Sequence, residues 1–319
     1  MPELPEVETM RRGVLPTIGH TIVSVERPPC DRKPILFEPT VQQWNRRLRG
    51  RQIHGVSRLG KRVILEIQRK RSSAVGREED DPNGFDQAIV FEPRMTGLVL
   101  IADPPGNEHL RLRLKLEGPQ LEGPRCDELL FWDRRGLGTA RLLTREELQS
   151  RVQDRLGPDA LAVGADDLRG SLFQSRRAVK VSLLDQAIVA GIGNLYAAEI
   201  LFVAGVDPRT RCDKISRPQW RRIQSAIGSV LGDAIRHEGS TLSDGTYRNA
   251  LNDAGGYQNY HRVYDREGET CVRCRTGIIR RIVQAQRSTF FCPRCQRRSG
   301  LHAAVREILV PPASDQAVQ

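Results

Sequence analysis

Four cysteines in two close pairs constrain this chain more than any other feature of its sequence. Cys271 and Cys274 form one C-x-x-C pair, Cys292 and Cys295 form the other, and 17 residues separate the pairs. Two pairs at this distance are typical of a tetrahedral zinc site on a two-hairpin ribbon. The alternative, a redox-active C-x-x-C pair, does not require a second pair. Because four thiolates leave no open coordination position, we expect one structural zinc per chain that takes no part in chemistry.

The charge of the chain favours a polyanionic partner, nucleic acid first and an anionic membrane second. Its 319 residues have a net charge of +11, and the stretch from Arg262 to Arg298 has ten arginines against three acidic residues. A zinc ribbon with this charge is expected to bind phosphates. We find neither an apolar run of about 20 residues nor a signal peptide, so we expect no membrane attachment.

The N-terminus, Met1-Pro2-Glu3-Leu4-Pro5-Glu6, offers an unusual nucleophile. We expect Met1 to be removed because a small residue follows it, which leaves Pro2 with a free secondary amine. A terminal amine titrates near ~8 and a lysine amine near ~10.4, so more of the terminal amine is unprotonated at neutral pH. Such an amine can attack C1′ of a deoxyribose and form a Schiff base, with Glu3 and Glu6 beside it as acid or base. The other interpretation is an ordinary acidic helix start.

The first 155 residues are predicted to form a β-sandwich or barrel-like domain behind one leading helix. Apolar periodicity predicts this helix from about Pro5 to Leu15. Seven or eight strands follow, and a capping box at Thr144 opens a further helix. Lys61 is expected at the tip of a hairpin between two of these strands. The acidic stretch around Glu78–Asp81 is predicted to be a surface loop that avoids DNA.

A hinge signal at residues 156–159 marks a change to helical periodicity, and we place a second domain at 156–262. Within it, Ala190–Asn194 is a turn into a helix, with Asn194 as the expected N-cap and an anion favoured at the helix N-terminus. A plain N-cap without a ligand fits the spacing equally well. Gly239–Gly256 is predicted to be a flexible loop. The zinc ribbon is placed at 263–299 and a C-terminal tail at 300–319.

Three further segments are candidates for contact with a bound duplex. Residues 287–291 predict a β-hairpin with Arg287 at its turn. Met95 and the turn Asp133–Gly138 are candidates for insertion into a groove, because an apolar or arginine wedge fills the gap left by an extruded base. For Met95, a place in the protein core is the alternative.

These motifs occur together and in one order, and in that order they resemble the formamidopyrimidine-DNA glycosylases. The resemblance runs from residue 2 to about residue 297. It rests on the terminal proline motif, the zinc cysteines and four internal motifs, which are Gly60-Lys61, Asp133–Gly138, Leu184-Asp185-Gln186 with Gly191–Ala197, and Gln286–Phe290.

The resemblance implies an α+β fold with an N-terminal β-sandwich and leading helix, a helix–two-turns–helix domain and a C-terminal zinc ribbon. Damaged double-stranded DNA lies in the cleft between them. It also implies a bifunctional DNA glycosylase and AP lyase of base excision repair that removes oxidised purines and then cuts by β- and δ-elimination. Such a protein is expected to be a monomer in the bacterial cytoplasm, associated with the nucleoid when bound to DNA.

The resemblance also implies roles for single residues. Pro2 is the nucleophile, Glu3 the acid that assists sugar ring opening, and Lys61 a phosphate contact that aids elimination. Glu6 is a further catalytic candidate beside them, and Arg287 binds phosphate and assists the second elimination. The remaining implied DNA contacts are Asn194, the void-filling Met95, Arg135 and Leu137, and also His109, Lys180 and Tyr264.

Two departures from the family pattern leave alternatives open. Glu92-Pro93-Arg94-Met95 replaces the usual His-Leu-Gly-Met, and Leu137 replaces a phenylalanine, which puts opposite-base discrimination in doubt. Leu4 favours a purine-lesion enzyme over the related endonuclease VIII proteins, which act on oxidised pyrimidines and usually have glycine there. A non-catalytic zinc-ribbon protein that binds DNA, and a zinc-ribbon factor that binds RNA, are the alternatives from other classes. Whether the Gly239–Gly256 loop closes over a flipped base is left open.

Overall fold

The computed structural model describes residues 2–69, 84–118, 126–242 and 245–297. The helices are α1 (Leu4–Gly13), α2 (Val41–Leu48), α3 (Arg145–Arg151), α4 (Ala165–Leu172), α5 (Val179–Leu183), α6 (Asn194–Ala204) and α7 (Arg217–Arg236). The strands are β1 (Thr21–Glu26), β2 (Leu36–Glu38), β3 (Arg51–Leu59), β4 (Arg62–Arg69), β5 (Gln87–Glu92), β6 (Gly97–Leu100), β7 (Leu110–Glu117), β8 (Glu128–Asp133), β9 (Thr139–Thr144), β10 (Arg280–Gln284) and β11 (Arg287–Phe291). The acidic Glu78–Asp81 stretch lies outside the described residues.

The first nine strands form a sandwich whose two halves share one core. They are hydrogen-bonded in the order β2-β9-β5-β4-β3-β1-β7-β8-β6. A single register pair, Thr21 with Gln52, joins β1 to β3 in the middle of this order. The apolar faces on either side of that junction pack on each other, and Phe91 of one half contacts Phe131 of the other with ring centroids 5.1 Å apart. The predicted sandwich is therefore confirmed.

Three elements of this sandwich domain were not predicted from the sequence. They are β2, α2 and β9. The start of α2 had a readable signal, because Thr40 and Gln43 form a capping box and the apolar positions Trp44 and Leu48 are fully buried. The edge strand β2 has only three residues and pairs in parallel with β9, which leaves little periodicity to detect.

The leading helix α1 belongs to two cores at once. Val7, Met10 and Val14 pack in the sandwich core, whereas Leu4 packs in the core of the helical domain with α4, α6 and α7. The helix is buried from Leu4 to Met10, so the residues that precede it are fixed where the two domains meet. A third, small core connects α6 to the hairpin of β10 and β11 and to the cysteine knuckles. Among the described residues, no helix is long and apolar enough to cross a membrane.

Candidate active site

The carboxylate of Glu3 is held by the N-terminus of α6. The backbone N–H groups of Leu195 and Tyr196 donate to Glu3 Oε1 and Oε2 at 3.0 and 3.4 Å. A Cβ at position 193 would lie 2.4 Å from Glu3 Oε1, so any residue larger than glycine would displace this carboxylate. The helix N-terminus therefore binds an anion, as its free N–H groups favour, but the anion belongs to the chain itself.

The predicted N-cap of α6 is wrong by one residue. Gly193 is the N-cap, and Asn194 is the first residue of the helix. The Asn194 side chain leaves the helix end to Glu3 and turns towards the zinc ribbon, where its Nδ2 donates to the carbonyl oxygen of Ser288 at 3.0 Å. The reason is that the Glu3 carboxylate, which comes from a distant segment, accepts the N–H groups at the start of α6. A capping side chain would otherwise accept these bonds.

Glu6 is buried next to Glu3 and accepts three hydrogen bonds. Its donors are the backbone N–H of Glu3 at 2.8 Å, the Tyr196 hydroxyl at 2.5 Å and the backbone N–H of Ser240 at 2.9 Å. Burial raises the pKa of Glu6, the charge of Glu3 raises it further, and the Tyr196 hydrogen bond opposes both. A buried carboxyl group with a raised pKa is suited to hold and release a proton.

A chain of hydroxyl groups continues from Glu6 to the linker before the zinc ribbon. The Tyr196 hydroxyl lies 3.4 Å from Ser240 Oγ, which lies 3.1 Å from Nε2 of His261. Burial, with the charges of Arg266 and Arg262, lowers the pKa of His261 to about 4. The ring is therefore neutral at physiological pH and serves as a fixed hydrogen-bond partner for Ser240.

Replacing Tyr196 with phenylalanine is expected to shift the acid limb of the pH profile to higher pH. The lost hydrogen bond lowers the pKa of Glu6, so its removal raises that pKa and keeps the carboxyl protonated at higher pH. Losing a hydrogen bond to a charged group is also expected to destabilise the fold by about 1.5–3 kcal/mol. Single-turnover base excision measured from pH 5 to 9 checks this. Tyr257→Phe is the matched control, since the hydroxyl of buried Tyr257 pairs with Arg262 instead. An unchanged profile in Tyr196→Phe would contradict the idea that ionisation of Glu6 sets the acid limb.

Two cations reach the same place from different parts of the chain. Lys61 lies in the tight turn between β3 and β4, as predicted, and Arg287 begins β11 after the turn Ala285-Gln286. Burial lowers the pKa of Lys61, the carboxylates Glu3 and Glu6 oppose this, and the charge of Arg287 adds to it. Lys61 therefore lies within electrostatic range of Glu3, Glu6 and Arg287.

Lys180 was predicted to contact DNA, but its ammonium group is enclosed by protein. It donates to Asn194 Oδ1 at 2.6 Å, to the Ser288 carbonyl oxygen at 3.0 Å and to Thr289 Oγ1 at 2.7 Å. The side chain is fully buried, and burial lowers its pKa to about 8. The geometry therefore supports a positioning role for Lys180, which ties α5, α6 and the hairpin of the zinc ribbon together.

The linker to the zinc ribbon is fastened to α6 by one buried carboxylate. Glu199 is the one charged residue in the sequence of α6, and it accepts backbone N–H bonds from Arg262, Val263 and Tyr264 at 2.8–3.1 Å. This places Tyr264 beside Asn194, and its ring edge contacts Phe290. Tyr264 and Asn194, both predicted DNA contacts, thus lie side by side between α6 and the ribbon.

The four cysteines of the ribbon have the geometry of a zinc site. Their Sγ atoms all lie within 4.8 Å of one another. Cys271 and Cys295 are 3.7 Å apart, and Cys274 and Cys292 are 3.8 Å apart. Tetrahedral zinc with Zn–S bonds of ~2.3 Å places its sulfurs ~3.8 Å apart, so these residues fit one zinc ion.

The predicted wedge residues form a second group, on the sandwich domain. Met95 and Leu137 are exposed, and Arg135 Nη1 donates to Met95 Sδ at 3.2 Å. The buried carboxylate of Asp133 fixes the turn by accepting the backbone N–H groups of Arg135 and Gly138 at 3.2 and 2.7 Å. For Met95 the exposed position excludes the core alternative.

The residue before Met95 adopts an unusual backbone conformation. Arg94 has a φ of 56°, in the left-handed region, which costs an L-amino acid about 1–2 kcal/mol. Its guanidinium forms an ion pair with Glu92 at 3.0 Å, and its side chain is 53% exposed. An exposed pair of this kind contributes about 0–1 kcal/mol, so the pair does not offset the strain.

His109 is less accessible than its predicted role as a DNA contact suggests. Its side chain is largely buried, with the ring edge against Trp132 at 5.4 Å and Nε2 3.6 Å from Glu108. Burial lowers its pKa, which favours the neutral ring. Its DNA contact remains a prediction.

The loop Gly239–Gly256 is more firmly anchored than predicted over its described residues. Thr241 is hydrogen-bonded to Gln258, Tyr247 and Gly255. Tyr247 is buried in the sandwich core, and its hydroxyl donates to the Glu238 carbonyl oxygen at 2.9 Å. The ring of Tyr247 is therefore not available to cover a flipped base.

Sequence reasoning missed Tyr196, Glu199, Ser240 and His261. Tyr196 and Glu199 could have been found, because they are polar residues three positions apart in an otherwise apolar helix. Polar groups in such a helix are buried only when they have hydrogen-bond partners. Ser240 and His261 had no such signal, because the sequence of a polar segment does not indicate which distant side chains a serine or a histidine will contact.

Comparison with known proteins covers most of the chain. Residues 1–140 match the family model of the formamidopyrimidine-DNA glycosylase N-terminal domain, and residues 156–246 match the formamidopyrimidine-DNA glycosylase H2TH domain. Residues 268–298 match a zinc finger found in FPG and IleRS. With this match and the sulfur geometry, the four cysteines are a site for one structural zinc.

Individual relatives and solved structures are similar to this chain over nearly their whole length. The formamidopyrimidine-DNA glycosylase of Solibacter usitatus is 35% identical over 298 residues, which are 93% of this chain and 100% of the relative. That of Chloroflexus aggregans is 37% identical over 304 residues, with 93% and 98% covered. The Lactococcus lactis protein in complex with Fapy-dG containing DNA, a glycine-to-proline mutant, has a TM-score of 0.77 at 31% identity, with 93% and 100% covered. Its complex with DNA containing an abasic site has a TM-score of 0.76 at 30% identity, with 92% and 99% covered. The chain belongs to the formamidopyrimidine-DNA glycosylase family.

Proposed function

We propose that this chain is a bifunctional DNA glycosylase and AP lyase that removes oxidised purines from duplex DNA. The observation that carries the proposal is the convergence of Glu3, Glu6, Lys61 and Arg287 on the segment that begins with Pro2. These side chains come from the start of α1, the β3–β4 turn and the zinc ribbon. They are charged, so the packing of an apolar core does not explain why they lie together. Relatives in complex with Fapy-dG and abasic-site DNA support the same substrate class.

In the proposed reaction, the secondary amine of Pro2 attacks C1′ of the damaged nucleotide as the bond from C1′ to the base breaks, and the departing base takes a proton from solvent. The carboxylate of Glu3 accepts the proton that the attacking nitrogen releases and then acts as the acid that delivers it to the ring oxygen O4′. The ring opens, and an iminium links Pro2 to C1′. Loss of a C2′ proton then breaks the C3′–O bond, and a second elimination breaks the C5′–O bond. The iminium is the electron sink in both eliminations, so the zinc is needed only for structure.

The surrounding residues are proposed to hold the DNA in place for these steps. Lys61 and Arg287 bind phosphates next to the lesion, with Asn194 and Tyr264 beside them. Met95, Arg135 and Leu137 enter the duplex where the base has left the stack. We propose that Lys180 acts behind Asn194 rather than on DNA itself. The domains 1–155, 156–262 and 263–299 are proposed to act together as a monomer in the bacterial cytoplasm.

Borohydride trapping tests this function. Duplexes with 8-oxoguanine opposite cytosine, an abasic site opposite cytosine, or an oxidised pyrimidine are incubated with the full chain and borohydride. Adducts on the first two but not the third are expected. Trapping on the abasic site and the oxidised pyrimidine alone would assign the chain to the endonuclease VIII type. Tight binding without any adduct would leave a non-catalytic DNA-binding protein.

A further inference from the structure

We propose that Arg94 is a binding site for a DNA backbone phosphate at the point where the Met95 wedge enters the duplex, with Glu92 as its counter-ion in the free protein. This inference rests on the proposed function, since it presumes that DNA occupies the cleft. The first observation is the strained backbone at Arg94, which the ion pair of its side chain does not offset.

The charge around Glu92 exceeds what one carboxylate can balance. Arg94 lies 3.0 Å, Arg62 3.4 Å and Arg141 4.0 Å from its carboxylate oxygens. Arg141 also lies 3.3 Å from a second carboxylate, that of Glu38, so these three guanidiniums and two carboxylates leave a net charge of +1. Lys61 directly precedes Arg62 in the chain, so this positive cluster extends from the candidate active site to the wedge. An excess of positive charge along such a line attracts a phosphate backbone.

Arg94 is the member of the cluster that is free to exchange partners. Its side chain is 53% exposed, whereas those of Arg62 and Arg141 are 23% and 24% exposed. If Arg94 moves to a phosphate, Glu92 keeps Arg62 at 3.4 Å and shares Arg141 with Glu38, so it is not left as an unpaired, mostly buried charge. The exchange therefore gains a charge-assisted hydrogen bond to phosphate and loses only an exposed ion pair.

The backbone around Arg94 is held rigidly enough to aim this side chain. The turn is closed by a bond from Gly97 N–H to the Pro93 carbonyl oxygen at 2.8 Å. Thr96 in the same turn accepts the backbone N–H of Arg135 at 2.9 Å, which ties it to the second wedge turn. Strain that a fold retains at an exposed position, without a compensating contact, is typical of binding sites.

The salt dependence of binding tests the inference, with Arg94→Gly, Arg94→Ala and Arg94→Lys compared to the wild type. The probes are an undamaged duplex and the same duplex with an uncleavable abasic analogue. Loss of one phosphate contact is expected to weaken binding about fivefold and to reduce the slope of log K against log salt by about 0.9. Arg94→Gly and Arg94→Ala should show this on both probes, and Arg94→Lys should keep most of the wild-type slope.

Stability separates binding from a purely structural role. Arg94→Gly removes the strain together with the charge, so its melting temperature is expected to equal or exceed that of the wild type although it binds DNA less well. Arg94→Ala keeps the strain and should not gain stability. Arg12→Gln is the matched control, because Arg12 pairs with Glu8 at 2.9 Å, its side chain is 56% exposed, and its loss changes the net charge equally.

Two results would overturn the inference. One is a wild-type slope in Arg94→Gly and Arg94→Ala, and the other is an equal loss of slope in Arg12→Gln. Neither result depends on base removal. A failure of the proposed function would instead appear as missing borohydride adducts with the Arg94 effect intact.

Discussion

Replacement of Pro2 with glycine is expected to reduce covalent trapping on both 8-oxoguanine and abasic duplexes by about 100-fold or more. Glycine leaves a terminal amine in the same place, so the change removes the secondary character of the amine and not the amine itself. A proline iminium carries its positive charge without a proton, whereas a glycine imine must be protonated before it withdraws electrons. The fixed ring of proline also limits the orientations of the attacking nitrogen.

Affinity for DNA should be nearly unaffected in Pro2→Gly. We expect the dissociation constant for the uncleavable abasic analogue to stay within about threefold of the wild type, because the contacts to phosphate come from other residues. Mass spectrometry of the intact protein is needed to confirm that Met1 is absent in both proteins. An undiminished adduct in Pro2→Gly would contradict the proposal, and peptide mapping would then show whether Lys61 is the amine that reacts.

Removal of the zinc is expected to abolish specific DNA binding while most of the chain stays folded. The two-stranded hairpin β10–β11 is marginal on its own, and the free energy of zinc binding is what folds small domains of this kind. The hairpin carries Arg287 and presents Ser288 and Thr289 to Lys180. Its loss therefore removes the phosphate contact that we propose for Arg287 and leaves a buried ammonium group without two of its acceptors.

The experiment combines metal content, circular dichroism and DNA binding. Cys292→Ser should contain less than one zinc per chain and bind the abasic duplex about 100-fold more weakly or worse. Cys30→Ser, which changes a thiol outside the cluster, should keep one zinc per chain. Full DNA affinity in Cys292→Ser with no zinc bound would show that the ribbon does not need the metal.

Much of the architecture was readable from local patterns. Apolar periodicity predicted α1, the helical character of the second domain and the number of strands in the first closely, because a stripe of apolar residues must face a core wherever that core lies. The cysteine spacing predicted the zinc site for a similar reason, since four thiolates in two knuckles have few other uses. The short β2 had too few residues for such a pattern.

The candidate site was predicted in part. Pro2, Glu3, Lys61 and Arg287 were named from motifs and from a family resemblance, and the structure brings the charged members of this set together. Lys180 was expected at the DNA surface and is instead buried behind Asn194. A lysine on an amphipathic segment looks the same in sequence whether it faces solvent or a cluster of acceptors from two other segments.

By itself, the sequence predicted most of the elements, the metal ligands and the chemistry proposed for the terminal amine. These depend on residue type and on spacing over a few positions. Only the tertiary structure decided which groups meet. The N-terminus of α6 takes Glu3 as its anion across 192 residues of chain, and Glu6 meets Ser240 across 234. The physical reason is that hydrogen bonding and burial depend on which groups are close in space. The residues around a group in the sequence do not indicate a partner that lies far along the chain.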